Sequence, residues 1–430
     1  MKPQELLRPV IQFAAVKFLL SRELVADGAS FDPFDKRYLS DPYPLYRKLR
    51  EKDPIHRSKL FDGVIMTRFE DVSAVLRDAR FSADDRNGPN FKVEREKAIN
   101  AGVLTQEEAD REQSMLRLDP PDHTRLRSLV NRAFTPRAVE SLRSRVEAIV
   151  DELLEGVEEK GGMEVIRDLA APLPVIVIAE MLGIPTQDRE QFKEWSDVIA
   201  STLGFNQDFT AARKAQFAGR ELRKYLEGVA GERRREPRED LLSALLVAEQ
   251  EGEKLSLEEV YATVELLLIA GNETTTNLIG NGLLALLRNP EQLQALREEP
   301  ELMQSAAEEL LRYDSPVQAT SRIALEDMEF HGEHINKGAQ IMLFFGAANR
   351  DPAQFTEPEA LNVRREETRH LAFGHGIHFC LGSPLARLEA PIALNALLHR
   401  FPEVRLSRSA KPLWGDNFIL HGLTKLSVSV

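Results

Sequence analysis

Cys380 is the only cysteine in the chain, and it stands in a segment rich in glycine and histidine, Phe373-Gly-His-Gly-Ile-His-Phe-Cys380-Leu-Gly382. From Pro384 to Leu398, Ala, Leu and Arg recur at helical spacing, so the cysteine precedes a helix N-terminus. Backbone N–H groups and the helix dipole at such a place favour a thiolate over a thiol. Gly376 and Gly382 let the backbone turn tightly against a flat ligand. Three chemistries suit these residues. One is a small buried core thiol, the usual fate of a lone cysteine. Another is a nucleophile with His375 or His378 as base, although no oxyanion arrangement accompanies it. The third is a thiolate ligand to haem iron.

A second chemical segment sits inside a predicted helix. Ser256 to Glu259 reads Ser-Leu-Glu-Glu, a capping-box pattern, and the helical periodicity runs to Arg288, where Asn289-Pro290 stops it. Such a helix is about 48 Å long at about 1.5 Å per residue. Its middle, Val264 to Ala270, is apolar on nearly every side, which places it in a core. Gly271, Asn272, Glu273, Thr274, Thr275 and Thr276 follow at once. These are poor helix formers, and a Thr hydroxyl that bonds a carbonyl one turn back bends a helix, so the pattern predicts a kink there. A carboxylate and hydroxyls inside a core cost free energy unless they are paired. Either water satisfies a structural kink, or the segment delivers protons to a ligand.

The elements that must hold these residues belong to an ordinary globular chain. Hydrophobic residues make up 43% and charged residues 29%, which excludes a disordered, collagen-like or rod-like protein. One cysteine excludes a disulfide framework, a four-cysteine zinc site and a redox cysteine pair. The net charge of −13 argues against nucleic-acid binding. The apolar stretch Val10 to Leu20 is shorter than the roughly 20 residues a membrane span needs, and Lys17 interrupts it. It is expected to be an N-terminal helix packing on the body, in a cytoplasmic protein. Gly63 to Thr67 reads as a strand and Phe69 to Leu76 as an amphipathic helix. Residues 82–115 read as a long polar loop, a lid or binding loop. Helices dominate 121–312, and Arg322 to Leu325, Met328 to Phe330 and Gln340 to Phe345 read as strands. The expected architecture is one mainly α domain over residues 1–430 with a smaller β portion, residues 1–30 forming an N-terminal extension.

Four motifs together resemble the cytochromes P-450 over roughly residues 30–430. The pattern of Phe373, Gly376, Cys380 and Gly382 is similar to that family's haem-binding loop. Ala270-Gly-Asn-Glu-Thr-Thr275 resembles its oxygen-activation segment, and Glu309-Leu-Leu-Arg312 its E-x-x-R pair. His123-Thr-Arg-Leu-Arg127, after Asp119-Pro-Pro-Asp122, resembles the helix that contacts a haem propionate. All four occur in the family's order, and the details resemble its soluble bacterial type.

The resemblance implies the cytochrome P-450 fold, with heme b (iron protoporphyrin IX) between the long central helix and the cysteine loop. It implies Cys380 as the iron ligand, Phe373 packed near the sulfur and N–H groups after Cys380, including that of Gly382, tuning it. His123, Arg127, Arg322 and His378 are the propionate partners by position, with Ala270 and Gly271 against the haem face. Glu273 and Thr274 resemble an acid–alcohol proton relay. Glu309 and Arg312 are structural, bracing the cysteine loop with a third basic residue. Here the chain departs from the family, because Ala360 and Leu361 stand where Arg and Phe are frequent. Arg364 and Arg365 are the candidates for the third arm. The pocket residues are Leu266, Ile269, Val317, Gln318, Thr320 and Phe418 to Leu420, Ile419 among them. They imply a lipophilic small molecule.

The activity implied is a monooxygenase inserting one atom of O2 into that substrate, in a monomer fed by a ferredoxin or flavodoxin and its reductase. Arg125, Arg132 and Arg387 are the expected docking cations for such an acidic partner. A peroxide-driven oxygenase on the same fold and a non-catalytic haem or gas-binding protein are the alternatives. The Glu273-Thr274 pair argues against both.

Overall fold

The computed structural model describes residues 16–25, 28–33, 35–60, 62–111, 114–200, 209–250, 255–408 and 410–430. The first part of the stretch Val10 to Leu20 lies outside the described residues. Residues 16–25 are helical and dock through Leu20 and the fully buried Glu23, whose carboxylate takes the N–H of Lys59 at 2.5 Å. Among the described residues, no helix is long and apolar enough to cross a membrane.

Helices dominate, as the periodicity predicts. The central helix, Leu257–Arg288, begins at the expected capping box: Ser256 Oγ accepts from the Glu259 N–H at 3.1 Å, and Glu259 returns the bond to the Ser256 N–H at 2.8 Å. It ends where Pro290 opens the next helix, Pro290–Glu298. Around it pack Pro172–Met181, Arg189–Ala200, Leu241–Gln250, Met303–Tyr313 and Ser383–Arg400. Close approach is built into the sequence at Gly280, where a Cβ would lie 2.6 Å from Ile166 Cδ1. The helix is continuous through Gly271 to Thr276, where the residue types predict a kink. Two threonines bond back along it as that reading requires, Thr274 Oγ1 to the Ala270 carbonyl at 2.8 Å and Thr276 Oγ1 to that of Asn272 at 2.9 Å. Tertiary packing on the buried faces overrides the poor local propensity.

The β portion is a five-stranded sheet in the order Ile55–Ser58, Gly63–Met66, Gln340–Phe344, Ala319–Ala324, Phe81–Ser82. Gly63–Met66 pairs in parallel with Gln340–Phe344, and the other neighbours are antiparallel. Met328–Phe330 forms a hairpin with Glu333–Ile335. In Ala319–Ala324 the pleat puts Thr320 and Arg322 on one face.

Residues 82–115 correct the expectation of a loop. They contain the helices Phe91–Asn100 and Gln106–Asp110, neither with a buried residue. Without an apolar stripe the segment gives no periodic signal, and polar contacts hold it. Arg220 of the helix Phe209–Arg235 donates to both oxygens of Glu108, at 2.5 and 2.9 Å, and Arg213 donates to the Ala101 carbonyl at 3.2 Å.

Candidate functional site

The cysteine loop closes on itself before its helix begins. The Cys380 N–H donates to the Phe373 carbonyl at 2.8 Å, and the Phe379 N–H to that of Gly376 at 3.1 Å. Gly376 is required here. Its φ is +71°, and a Cβ would sit 2.3 Å from the Leu76 carbonyl oxygen, where the loop presses on the end of helix Phe69–Arg77. Gly382 is not required for such a turn, since its φ is −80°. Its N–H and that of Ser383 each pull the Cys380 pKa down, and the Ser383 N–H donates to the Cys380 carbonyl at 3.4 Å. Phe373 lies beside the loop, its ring 4.6 Å from the Arg387 guanidinium and 6.2 Å from the Phe379 ring.

The thiol itself departs from expectation. Burial pushes its pKa up, and this outweighs the Gly382 N–H, Arg127, the Ser383 N–H and Arg387, all of which pull it down. A metal cation at the sulfur reverses that balance, because coordination deprotonates a thiol outright.

Four basic side chains converge beside the loop, from three elements. His123 and Arg127 come from the helix Asp122–Val130, Arg322 from the strand Ala319–Ala324, and His378 from the cysteine loop. The His123 and His378 rings are 4.1 Å apart, and Arg127 donates to the Phe379 carbonyl. His123 is a buried residue, not a surface charge. Crowding of like charge shows in the titration. Burial lowers His378 to about 3, with Arg322, His123 and Arg127 adding to the effect. Burial likewise lowers Arg322 to about 10, against the pull of Asp119. Asp119 is committed elsewhere, accepting from the Ala83 N–H at 2.9 Å and from the Ser82 hydroxyl. His123 Nδ1 and His378 Nε2 are buried with no hydrogen-bond partner. Such a cluster fits an anionic ligand with more than one charge, which the two haem propionates provide.

The central helix carries the other group of candidate residues. It is buried on most sides, but Leu266, Ile269, Gly271, Glu273 and Thr274 are partly exposed and Ala270 is exposed. Gly271 has open space where a side chain would be, with nothing within 4 Å of a Cβ. Burial raises the Glu273 carboxyl to about 7, and Asp197 adds to it. Asn272 turns the other way, donating to Ser196 Oγ at 3.3 Å and Asp197 Oδ1 at 3.2 Å.

Of the remaining pocket candidates, Val317, Thr320 and Ile419 are partly exposed. Gln318 is not a pocket residue. It is 1% exposed and donates to the Ser315 carbonyl at 2.7 Å and to Tyr43 Oη at 3.3 Å. Phe418 and Leu420 are also buried, Phe418 against Phe31 with ring centroids 5.7 Å apart. The Gln318 N–H donates to the Ile419 carbonyl at 2.8 Å, and alternation across this pairing leaves Ile419 as the side chain turned outward.

Behind the loop, Arg312 donates to Glu309 from Nε at 2.6 Å and from Nη2 at 2.8 Å, both side chains being fully buried. Arg365 is the third arm, its Nε 3.0 Å from Glu309 Oε2. Arg364 instead pairs with Glu299. Carbonyls of Asn349, Pro358 and Ala360 satisfy Arg312, and those of Thr356, Glu357 and Ala360 satisfy Arg365. Ala360 therefore takes part through its backbone, where no side chain is needed.

A family model for cytochrome P450 matches residues 90–416. The chain is 42% identical to the polyketide biosynthesis cytochrome P450 PksS of Bacillus subtilis, over 93% of this chain and 98% of that one. The chain belongs to the cytochrome P450 family. This P450 is also 42% identical to the cytochrome P450 monooxygenase PikC of Streptomyces venezuelae, over 91% of each chain. Among solved structures, it resembles P450BioI in complex with an acyl carrier protein ligated to hexadec-9Z-enoic acid. The TM-score is 0.84 at 41% identity, covering 92% of this chain and all of that one. It is a haem-thiolate monooxygenase whose cofactor is heme b.

Two docking cations anticipated from the sequence are already engaged in this P450. Arg125 pairs with Glu259 and Asp122, and Arg387 donates to Glu308 at 2.7 and 2.8 Å. Arg132 is exposed and makes no ion pair among the described residues.

Proposed function

We propose that Cys380 would hold the haem iron, that His123, Arg127, Arg322 and His378 would hold its propionates, and that Glu273 and Thr274 pass protons in the same site. The observation that carries this is the convergence of four basic groups, two with orphaned ring nitrogens, beside one half-buried cysteine. The bound haem supplies dioxygen activation and transfer of one oxygen atom to the substrate. The Gly382 and Ser383 N–H groups draw charge from the sulfur and set how strongly it donates. Burial raises Glu273 to about 7, close to neutral pH, where a carboxyl can both hold and release a proton. Thr274 Oγ1 donates to Ala270 at rest, so its lone pairs are open to a proton from outside. Apolar Leu266 and Ile269 keep bulk water from the same wall.

The substrate is a lipophilic small molecule, a class supported by these aliphatic walls and by the polyketide and fatty-acyl compounds named for two relatives. Electrons come from a ferredoxin or flavodoxin with its reductase. Full dependence of turnover on these added proteins, with peroxide alone inactive, separates this reading from a peroxide-driven oxygenase.

The test of the relay is Thr274→Ala. Electron consumption is expected to continue while product per electron falls about tenfold and hydrogen peroxide appears, removal of a proton-transfer group costing on the order of 10²-fold or more in the chemical step. Unchanged coupling removes Thr274 from the relay. For the propionate cluster, Arg322→Ala is expected to speed haem transfer to an apo-globin acceptor by about tenfold or more, since a charge-assisted hydrogen bond contributes about 1.5–3 kcal/mol. An unchanged transfer rate places the propionates elsewhere.

A further inference from the structure

A histidine and two carboxylates that neither the haem cluster nor the proton relay uses come together elsewhere in the fold. Glu70 and Asp71 stand in the first turn of the helix Phe69–Arg77. His331 stands at the turn of the hairpin that joins Met328–Phe330 to Glu333–Ile335. Folding brings Asp71 and His331 into contact across 260 positions of sequence. One donor atom from each of Glu70, Asp71 and His331 lies within 4.8 Å of the other two.

Asp71 is the residue that points to a ligand. Its side chain is 0% exposed, and its Oδ2 is buried with no hydrogen-bond partner among the described residues. Its Oδ1 meets His331 Nδ1, so the histidine answers only one of the two oxygens. Burial still raises the Asp71 pKa, against the pull of His331 and Arg68. A buried carboxylate oxygen without a donor costs free energy, and a cation seated beside it removes that cost. Glu70 and His331 are exposed, which leaves the cluster open to an ion from solvent. The His331 ring is held in position. Phe330 stacks on it with ring centroids 4.5 Å apart, and Phe330 packs in turn against Phe81 at 5.8 Å.

We propose that Glu70, Asp71 and His331 bind one divalent transition-metal ion of the zinc type, with water in its remaining coordination position. An imidazole nitrogen with carboxylate oxygens suits zinc, whereas calcium and magnesium favour oxygen donors alone. The two carboxylates balance the charge of the ion. Zinc ligands stand about 2.0–2.2 Å from the metal and therefore about 3–4 Å from one another, a spacing that small side-chain rotations reach from the one observed. The ion takes the place of the hydrogen bond between Asp71 and His331, and it gives the orphaned oxygen a partner. Its ligands come from two elements, so it pins the first turn of the helix to the hairpin. The other end of that helix, at Leu76, supports the cysteine loop at Gly376.

The test uses the haem-bound full chain without an affinity tag, first dialysed against a weak chelator. Zinc is then offered at micromolar concentration in equilibrium dialysis, and bound zinc is counted against haem iron by atomic emission. The parent chain is expected to retain about one zinc per haem iron. His331→Ala, Glu70→Gln and Asp71→Asn are each expected to weaken binding at least about tenfold, since loss of even a residue behind the ligands costs about 10–100-fold. Glu70 and His331 are exposed, so their variants keep the test valid if Asp71→Asn does not fold. His334→Ala is the control. His334 lies on the same hairpin, exposed and paired with Glu329, and its loss is expected to leave zinc binding unchanged. Zinc is expected to raise the urea midpoint of the parent and not that of His331→Ala. Millimolar calcium is expected to leave the zinc in place. The proposal is overturned if the parent retains no zinc, if calcium displaces it, if the midpoint does not move, or if His331→Ala and Glu70→Gln bind as the parent does, which is an adventitious ion only. A thiolate-type carbon monoxide band in every variant keeps such a failure separate from the haem assignment.

Discussion

Arg312→Ala is expected to be destabilised by about 3–5 kcal/mol relative to the parent chain, the usual cost of breaking a buried ion pair from one side. Arg312 and Glu309 are both fully buried, so the substitution leaves the Glu309 carboxylate with Arg365 as its one remaining ion-pair partner among the described residues. It also orphans the carbonyls of Asn349 and Pro358, which Arg312 Nη1 satisfies at 2.9 and 2.8 Å. A shift of this size falls within the total stability of a typical domain. Urea unfolding of the haem-bound protein, followed by circular dichroism, measures it. Arg365→Ala is expected to be destabilising too, because Arg365 reaches the same Glu309 oxygen. A parent-like midpoint for Arg365→Ala contradicts its assignment as the third arm.

Cys380→Ala is expected to abolish thiolate ligation and monooxygenase turnover together, the largest effect any single side chain of this protein can have. The chain has no other cysteine to replace the sulfur. His375 and His378 lie nearby in the loop, and burial lowers the pKa of both rings, so they are neutral and able to take iron in its place. Haem in this variant is therefore expected to give a histidine-type spectrum, read by absorption of the reduced carbon monoxide complex. Retention of a thiolate-type band in Cys380→Ala contradicts the ligand assignment. Fold loss is not expected, because the loop closes through backbone bonds, the Cys380 N–H to the Phe373 carbonyl among them.

Most of the site was legible in the sequence where a motif coincided with a strong local signal. The capping box at Ser256 and the Asn289-Pro290 stop set both ends of the central helix. The cysteine loop was marked by glycines, two of which, Gly374 and Gly376, stand at φ +71°. Two features were misread for physical reasons. Residues 82–115 contain helices without a buried residue, so no apolar stripe announces them. Gln318 looked like a pocket residue by position, but it turns inward to Ser315 and Tyr43.

Other features were invisible for want of partners. The motif placed His123 at the site, but its burial and its contact with His378 at 4.1 Å show only in the fold. Arg364 and Arg365 are adjacent and chemically alike, and only the path of the chain decides which one reaches Glu309.

The central claim, haem held through the Cys380 thiolate, is tested most directly by the carbon monoxide difference spectrum of the reduced, purified protein. The account predicts a strongly red-shifted, thiolate-type Soret band in the parent chain. A band of the histidine-ligated or protonated-thiol type in fully folded protein, or a folded protein that takes up no haem, contradicts it.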